Sequence, residues 1–418
     1  MKSRICLRVA MALMVLSLAT PLLSACSKNS SDTQVDLDSY QWAIFTSTYR
    51  NTGILPSPSS GYAIFVRDDG SYDLVSHSGM DSGEISWTQQ GVHYADTNGE
   101  HWITKQGTTS VKGNRIDLMD GLVTLSDGLT RVGVYNGGRR GKKYHEEVVV
   151  SRQGSSVHHK LETVGFYPMI SACGDNVYTA YSKASEVSNG RFIFDQIVDK
   201  GAVKHRNLNT QSMPSSEFSF YANDAPCAQN RIYFIGSFTI YDGAKPTGDT
   251  KLAPHMGRCP EGGEDECALA LVVADANTGR LNWLPVVNEN GSSEKFSSEN
   301  AVEVGLDAHS LNEKGKLIWL SGYGVLYETN VENGKTTVLN DALRNDNQSE
   351  NSKIIYHFSS DKNTVTVLVE DSRDSFAAPR IVVFDKSSGK IIKNVQIKGL
   401  KGKISDSQVI RDIASKPQ

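Results

Sequence analysis

One phrase recurs along this chain and restricts its fold more than any other feature. It is an apolar strand, an Asp or Asn, a glycine turn and a second strand. Leu271-Val-Val-Ala-Asp-Ala-Asn-Thr-Gly-Arg-Leu-Asn-Trp283 carries it, as do Ile381–Ile392 and Leu326–Val338, with Ala63–Leu74 a shorter copy. Glycine takes φ > 0 at no steric cost, and tight hairpins need that conformation beside a turn-forming Asp, Asn or Ser. A repeat of this kind means that each copy is one small unit that buries its apolar faces by stacking on its neighbours.

The rest of the chain obeys the same grammar. From Tyr40 onward, short runs rich in Val, Ile, Tyr, Phe and Thr alternate with Gly, Asn, Asp and Ser clusters. Helical periodicity is scarce, with one short turn expected over Asp341–Glu350. Ala268–Ala274 reads as a buried strand. A second element, strand–polar turn–strand, precedes the hairpins at Pro168–Tyr178, Tyr221–Tyr233, Asp307–Trp319 and Tyr356–Val367. Joined to the hairpin that follows, it gives four strands, the build of a propeller blade. The expected fold is all-β, a β-propeller of about seven four-stranded blades. The units lie near 40–79, 84–108, 115–162, 166–212, 218–287, 303–341 and 353–398. A last strand near Val409-Ile410 is expected to pair with Trp42–Ser47 and close the ring. The phrase Val273–Trp283 resembles the repeat of quinoprotein-type and WD-like propellers, in which a tryptophan near the end of a blade docks on its neighbour. Only one unit matches closely, so the resemblance implies architecture and not quinone chemistry.

The first 26 residues carry a different signal. A cationic start (Lys2, Arg4, Arg8), an apolar run over Val9–Leu18 and small residues before Cys26 form an export signal. The apolar run is too short to span a bilayer. Leu23-Ser24-Ala25-Cys26 resembles the lipobox of bacterial lipoproteins, which implies cleavage before Cys26 and acylation of its thiol, palmitate included. The expected organisation is a lipoprotein signal peptide over 1–25, a flexible tether over 26–39 and a propeller domain over 40–418. The expected location is the extracytoplasmic face of the cell membrane, lipid-anchored. Ser27 permits outer-membrane sorting if the host is Gram-negative.

Charge and cysteine narrow the partners. The chain holds 43 basic and 47 acidic residues. Loss of Lys2, Arg4 and Arg8 leaves 40 against 47, a formal net charge of −7. That disfavours nucleic acid, whose phosphates need a basic face. Once Cys6 leaves with the signal and Cys26 is acylated, four cysteines remain: Cys173, Cys227, Cys259 and Cys267. An even number in an exported chain reads as two disulfides. Cys259–Cys267 bounds a short turn-forming loop, which leaves Cys173 with Cys227, at matching positions of successive units.

Other candidates have plain readings. His158 and His159 are adjacent, so on a strand they point to opposite faces and do not share a metal. His255, Cys259 and Cys267 lack the paired spacing and fourth ligand of a zinc site. Glu261, Glu264, Asp265 and Glu266 lack calcium-loop spacing and read as a solvated acidic loop. Arg139, Arg140, Lys142 and Lys143 form the one strong basic cluster, a candidate contact for anionic headgroups or envelope polymers. No nucleophile elbow, zinc-protease helix or phosphate loop is present, and no cofactor is implied. The functional expectation is a non-catalytic binding or scaffold protein of the cell envelope, presenting propeller loops to a protein or glycan. The rival is a carbohydrate-active hydrolase or lyase with its site at the central channel. Convergent carboxylates with shifted pKa values in a deep pocket would favour the rival, and an exposed aromatic or apolar rim the binding protein.

Overall fold

The computed structural model describes residues 35–48, 60–113, 115–116, 118–165, 167–182, 191–212, 217–219, 224–240, 252–258, 266–293, 304–345, 354–371, 377–404 and 408–418. Among them are seven antiparallel sheets and no α-helix. The sheets are the seven blades of a propeller, and they follow the unit boundaries expected from the repeat. Of Asp341–Glu350, Ala342 and Leu343 form a turn, and 346–350 lie outside the described residues.

Taken from the axis outward, blade 2 is Ile85–Thr88, Gly91–Asp96, Gly99–Thr104 and Gly107–Lys112. Blade 3 is Met119–Thr124, Arg131–Arg140, Lys143–Arg152 and Ser155–Thr163. Blade 4 is Met169–Cys173, Asn176–Ser182, Arg191–Asp199 and Ala202–Ser212. Blade 5 is built on the long pair Arg231–Ile240 and Glu266–Asp275. Its inner position is split between Glu217–Ser219 and Cys227–Ala228, and its outer one between Gly257–Arg258 and Leu281–Pro285. Blade 6 is Lys316–Leu320, Leu326–Asn330 and Thr336–Asn340, with Gly305 bridging to Leu320 at the inner position. Blade 7 is Ile354–Ser360, Thr364–Asp371, Arg380–Asp385 and Ile391–Gln396.

Blade 1 is made from both chain ends. Gln408–Ser415 is its inner strand and pairs with Trp42–Thr48, followed by Gly61–Val66 and Tyr72–His77. Val409 stands opposite Ser47, as expected from sequence. The closing strand also joins its neighbours: Ile85 N donates to Asp412 Oδ2 at 2.9 Å, and Ser415 N to Ser359 Oγ at 3.1 Å.

The recurring glycine has a structural reason. Gly279, Gly334, Gly389 and Gly70 have φ of +70°, +72°, +67° and +83°. Each turn is held by its Asp or Asn; Asp275 Oδ1, for example, accepts from Asn277 N at 3.0 Å and Thr278 N at 2.9 Å. Each glycine also lies against the outermost strand of the preceding blade. A Cβ on Gly334 would sit 2.1 Å from Pro285 O, on Gly389 2.5 Å from Leu339 O, and on Gly70 2.3 Å from Gln396 O. Asn209 and Asn340, on those outer strands, donate to Gly279 O (3.0 Å) and Gly389 O (2.8 Å). The repeat therefore marks blade-to-blade joints as well as turns.

Apolar residues between the blades fill the core. Trp283 is buried at the joint of blades 4 and 5, edge-on to Phe192 (5.5 Å) and Phe238 (5.1 Å). Cys173 and Cys227 end or begin the inner strands of these same blades and form the expected disulfide, with Cα atoms 5.4 Å apart. The Cys259–Cys267 pairing involves Cys259, which lies outside the described residues, as does Cys26.

The two faces of the ring differ. First-to-second and third-to-fourth strand connections are tight turns on one face. The chain enters on this face. Leu37–Ser39, within the stretch read as tether, forms a 3-10 turn with Leu37 buried. Lys416 Nζ donates to Leu37 O and Asp38 O at 3.1 Å each, and Lys105 pairs with Asp38 at 2.8 Å. On the opposite face the described turns from second to third strand are Thr97-Asn98 in blade 2, Gly141-Lys142 in blade 3 and Ser321–Val325 in blade 6.

Candidate functional site: the central channel

Inner strands from adjacent blades converge on the axis, so any polar residue they carry points into a shared space. Here that space is a cavity of about 520 Å³ opening on the tight-turn face. Blades 1, 2, 3, 5, 6 and 7 contribute to its wall. Trp87 and Phe358 give it partly exposed aromatic surface, and Ile85, Leu122, Leu125 and Ile413 apolar surface. Glu84, Asp224, Asp307, Asp361 and Asp412 bring carboxyl groups from five different blades.

Three of these carboxyls are held away from their usual ionisation. Burial, and then the charge of Asp412, push Glu84 well above the carboxylate range. Burial and Asp307 raise Asp224 to about 8. Burial and Asp307 raise Asp412 to about 7, although it accepts from Ile85 N and Ile413 N. Desolvation disfavours the charged form and neighbouring like charges add to it. At neutral pH Glu84 and Asp224 therefore keep protons while Asp412 is poised between its two forms, and a protonated carboxyl both donates and accepts hydrogen bonds.

Arg131 and Lys386, beside the wall, bond to its hydroxyls and carbonyls. Arg131 is buried, donates to Ser86 Oγ (3.1 Å), Thr88 Oγ1 (2.9 Å) and Gly128 O (3.2 Å), and is lowered to about 10 by burial. Lys386 Nζ donates to the carbonyls of His309 and Asp361, and burial lowers its pKa. Asp307 ties blade 6 to blade 7 by accepting from Ser360 N and Oγ. Among the described residues, no group of three or more His, Cys, Asp or Glu side chains is close enough together to hold a metal ion.

A second buried carboxyl pair lies in blade 3. A register shift between Met119 and Gly121 makes Asp120 a bulge residue, and bulges re-aim side chains. Asn136 Nδ2 donates to both its carboxyl oxygens at 3.3 Å. Burial raises Asp120 to about 7, and burial with the Asp120 charge raises Glu146 to about 9. The opposite case is Glu100. It is buried, bonded by His93 Nε2 (2.9 Å), Arg115 Nε (2.8 Å) and Tyr135 OH (3.0 Å), and ionised down to about 2 because these partners outweigh burial.

The residues singled out from sequence lie away from the channel. Arg139, Arg140, Lys142 and Lys143 form the exposed tip of the second-to-third strand hairpin of blade 3, on the face opposite the cavity mouth. His158 and His159 are exposed on the outer strand of that blade, His158 Nδ1 lying 2.7 Å from Glu147 Oε1. The channel carboxyls were not found from sequence. Their one signal was position: Asp224 and Asp307 sit in the strand–turn–strand element that supplies inner strands.

A family model for the β-propeller domain of YycP matches residues 37–252, just over half of the chain. The chain belongs to this YycP β-propeller family. No curated protein matches the sequence. Similar solved structures include a point variant of the Synechocystis apocarotenoid oxygenase ACO, at 9% identity, covering 92% of this chain and 94% of that one with a TM-score of 0.47. Citrobacter koseri AztD is 13% identical, covering 90% and 98%, with a TM-score of 0.41. Saccharomyces cerevisiae Sqt1 is 13% identical, covering 76% and 75%, with a TM-score of 0.39. At these scores the likenesses carry no argument about function.

Proposed function

We propose that this chain is a lipid-anchored extracytoplasmic binding protein of the bacterial envelope, and that the mouth of its central channel holds an envelope glycan. One observation carries the choice of site: carboxyls from five blades converge on one cavity with exposed aromatic surface. Carboxyls that keep their protons suit hydroxyl groups, which both give and accept hydrogen bonds, and Trp87 supplies an apolar face for a sugar ring. The rim fits a protein partner less well. Among the described residues the exposed large apolar side chains are Val157, Val164, Val338, Ile391 and Ile392, with no aromatic among them. Anchoring rests on the Leu23–Cys26 motif, and intact mass of membrane-extracted protein tests it: a diacylglyceryl adduct on Cys26 is expected.

The second reading is a carbohydrate-active hydrolase or lyase at the same site. The raised pKa values of Glu84 and Asp224 favour it, since a general acid must hold a proton at working pH. One experiment separates the two. Solubilised envelope oligosaccharides are added to full-length protein, and both melting temperature and new sugar ends are followed. Binding predicts a thermal shift lost in Trp87→Ala, with sugar chains intact. Catalysis predicts new chain ends, abolished in Glu84→Gln or Asp224→Asn. Neither effect would remove the channel as the site.

A further inference from the structure

The channel leaves one feature of the chain unused, the blade 3 hairpin tip. The strands Arg131–Arg140 and Lys143–Arg152 run past both neighbours. The inner neighbour's last contact is Asn136 N with Leu118 O, and the outer neighbour's is Tyr144 opposite Thr163. Between these points, Gly138–Lys142 has no partner strand outside its own hairpin among the described residues. The tip buries no apolar side chain, so core packing does not account for it.

Its shape is nonetheless fixed. Gly138 and Gly141 have φ of +76° and +65°. Gly138 N donates to Asn136 Oδ1 at 2.8 Å, and Arg139 Nε to Gly141 O at 3.0 Å. A Cβ on Gly137 would sit 2.7 Å from His145 O, so the ribbon closes only over glycine there. A register shift between Tyr144 and Glu146 adds twist. The result holds four exposed cations within five residues. Of these, Lys143 pairs with Glu162, while both side chains of the pair remain more than half exposed.

We propose that this tip binds a phosphate-rich anionic polymer, on the face of the ring opposite the one where the chain enters. Arg presents a planar fork that matches phosphate oxygens in pairs, and Lys adds point charge. The protein as a whole is acidic and repels polyanions at a distance. Screening over about 8 Å at physiological salt leaves the local cluster to decide the contact. Position selects a polymer over a bilayer. Leu37–Ser39 is tied to the tight-turn face by Lys416 and Lys105, and the tip is on the other face. The choice of a polymer over a bilayer rests on the anchored reading proposed above; binding at the tip itself uses neither the anchor nor the channel, and its failure leaves both readings standing.

The test uses full-length protein in neutral detergent, titrated with sodium polyphosphate across a salt series. A variant with Arg139, Arg140, Lys142 and Lys143 all changed to Gln is compared with a control in which Lys105, Lys200, Lys314 and Lys390, exposed on the tight-turn face, are changed to Gln. The wild type is expected to bind, with affinity falling as salt rises. The tip variant is expected to lose at least tenfold in affinity, with a flatter salt dependence and an unchanged melting temperature. The control is expected to bind as the wild type does. Equal loss in both variants, full binding by the tip variant, or no wild-type binding would each overturn the proposal. So would tip-dependent co-sedimentation with phosphatidylglycerol vesicles in the absence of polyphosphate binding, which assigns the tip to a membrane.

Discussion

Asp120 and Glu146 show how a single backbone irregularity changes the chemistry of a residue. In an unbroken strand Asp120 would alternate with its neighbours; the bulge turns it toward Glu146 inside blade 3. No sequence pattern announces a bulge at Met119-Asp120-Gly121, so this pair was not legible, nor were the channel carboxyls, whose meeting depends on which strands become innermost. The linkage has a definite sign. Unfolded, both groups titrate near 4; folded, near 7 and 9. In between, the folded state holds more protons, so stability is greatest at the acid end of this window and falls as pH rises through the folded values. Asp224 and Asp412 act in the same direction. Denaturant unfolding between pH 7 and 9 is expected to show this decline, above the range in which the buried His77 and His93, both lowered by burial, act in the opposite sense. Glu146→Gln should leave stability nearly unchanged at pH 5 and raise it by on the order of 2 kcal/mol at pH 9. A wild-type curve that rises between pH 7 and 9 would contradict the assignment.

At the scale of the element, the hairpin phrase was readable because two requirements fall on one residue. The turn needs φ > 0, and the neighbouring blade leaves no room for a Cβ. Both hold in blades 5, 6, 7 and 1, where the repeat is clear. In blades 2 and 3 the corresponding glycines, Gly107 and Gly154, have nothing within 4 Å of an added Cβ, and there the repeat fades. The contrast is testable. Gly154→Ala meets only the left-handed backbone cost, about 1–2 kcal/mol. Gly334→Ala meets that cost and a clash with Pro285 O, so it is expected to lose about 3 kcal/mol or more, because backbone cannot step aside as a side-chain end can. Equal losses in the two variants would show that the joint between blades 5 and 6 yields easily.

At the scale of the molecule, a ring is held by its joints, and two of these are special. The Cys173–Cys227 bond spans 54 residues and ties blade 4 to blade 5 near the axis. Closing such a loop is worth about 4 kcal/mol in the chain-entropy model, so Cys173→Ser with Cys227→Ser should lower the unfolding free energy by roughly that amount. The second joint is the closing strand. Gln408–Ser415 completes blade 1, bonds to blades 2 and 7, and lines the cavity with Asp412 and Ile413. Burial of Ile410 and Ile413 contributes about 3–6 kcal/mol, a large share of the 5–15 kcal/mol typical of a domain. Its removal would also leave Trp42–Thr48 as an unpaired edge, open to pairing with another chain. Deletion of residues 408–418 is therefore expected to abolish the cooperative melt or drive aggregation. Deletion of Pro417 and Gln418 alone, beyond the last paired residue, should shift the melting temperature by no more than a few degrees. If the longer deletion melted like the wild type, closure by this strand would be unnecessary, and the channel wall it builds would need another support.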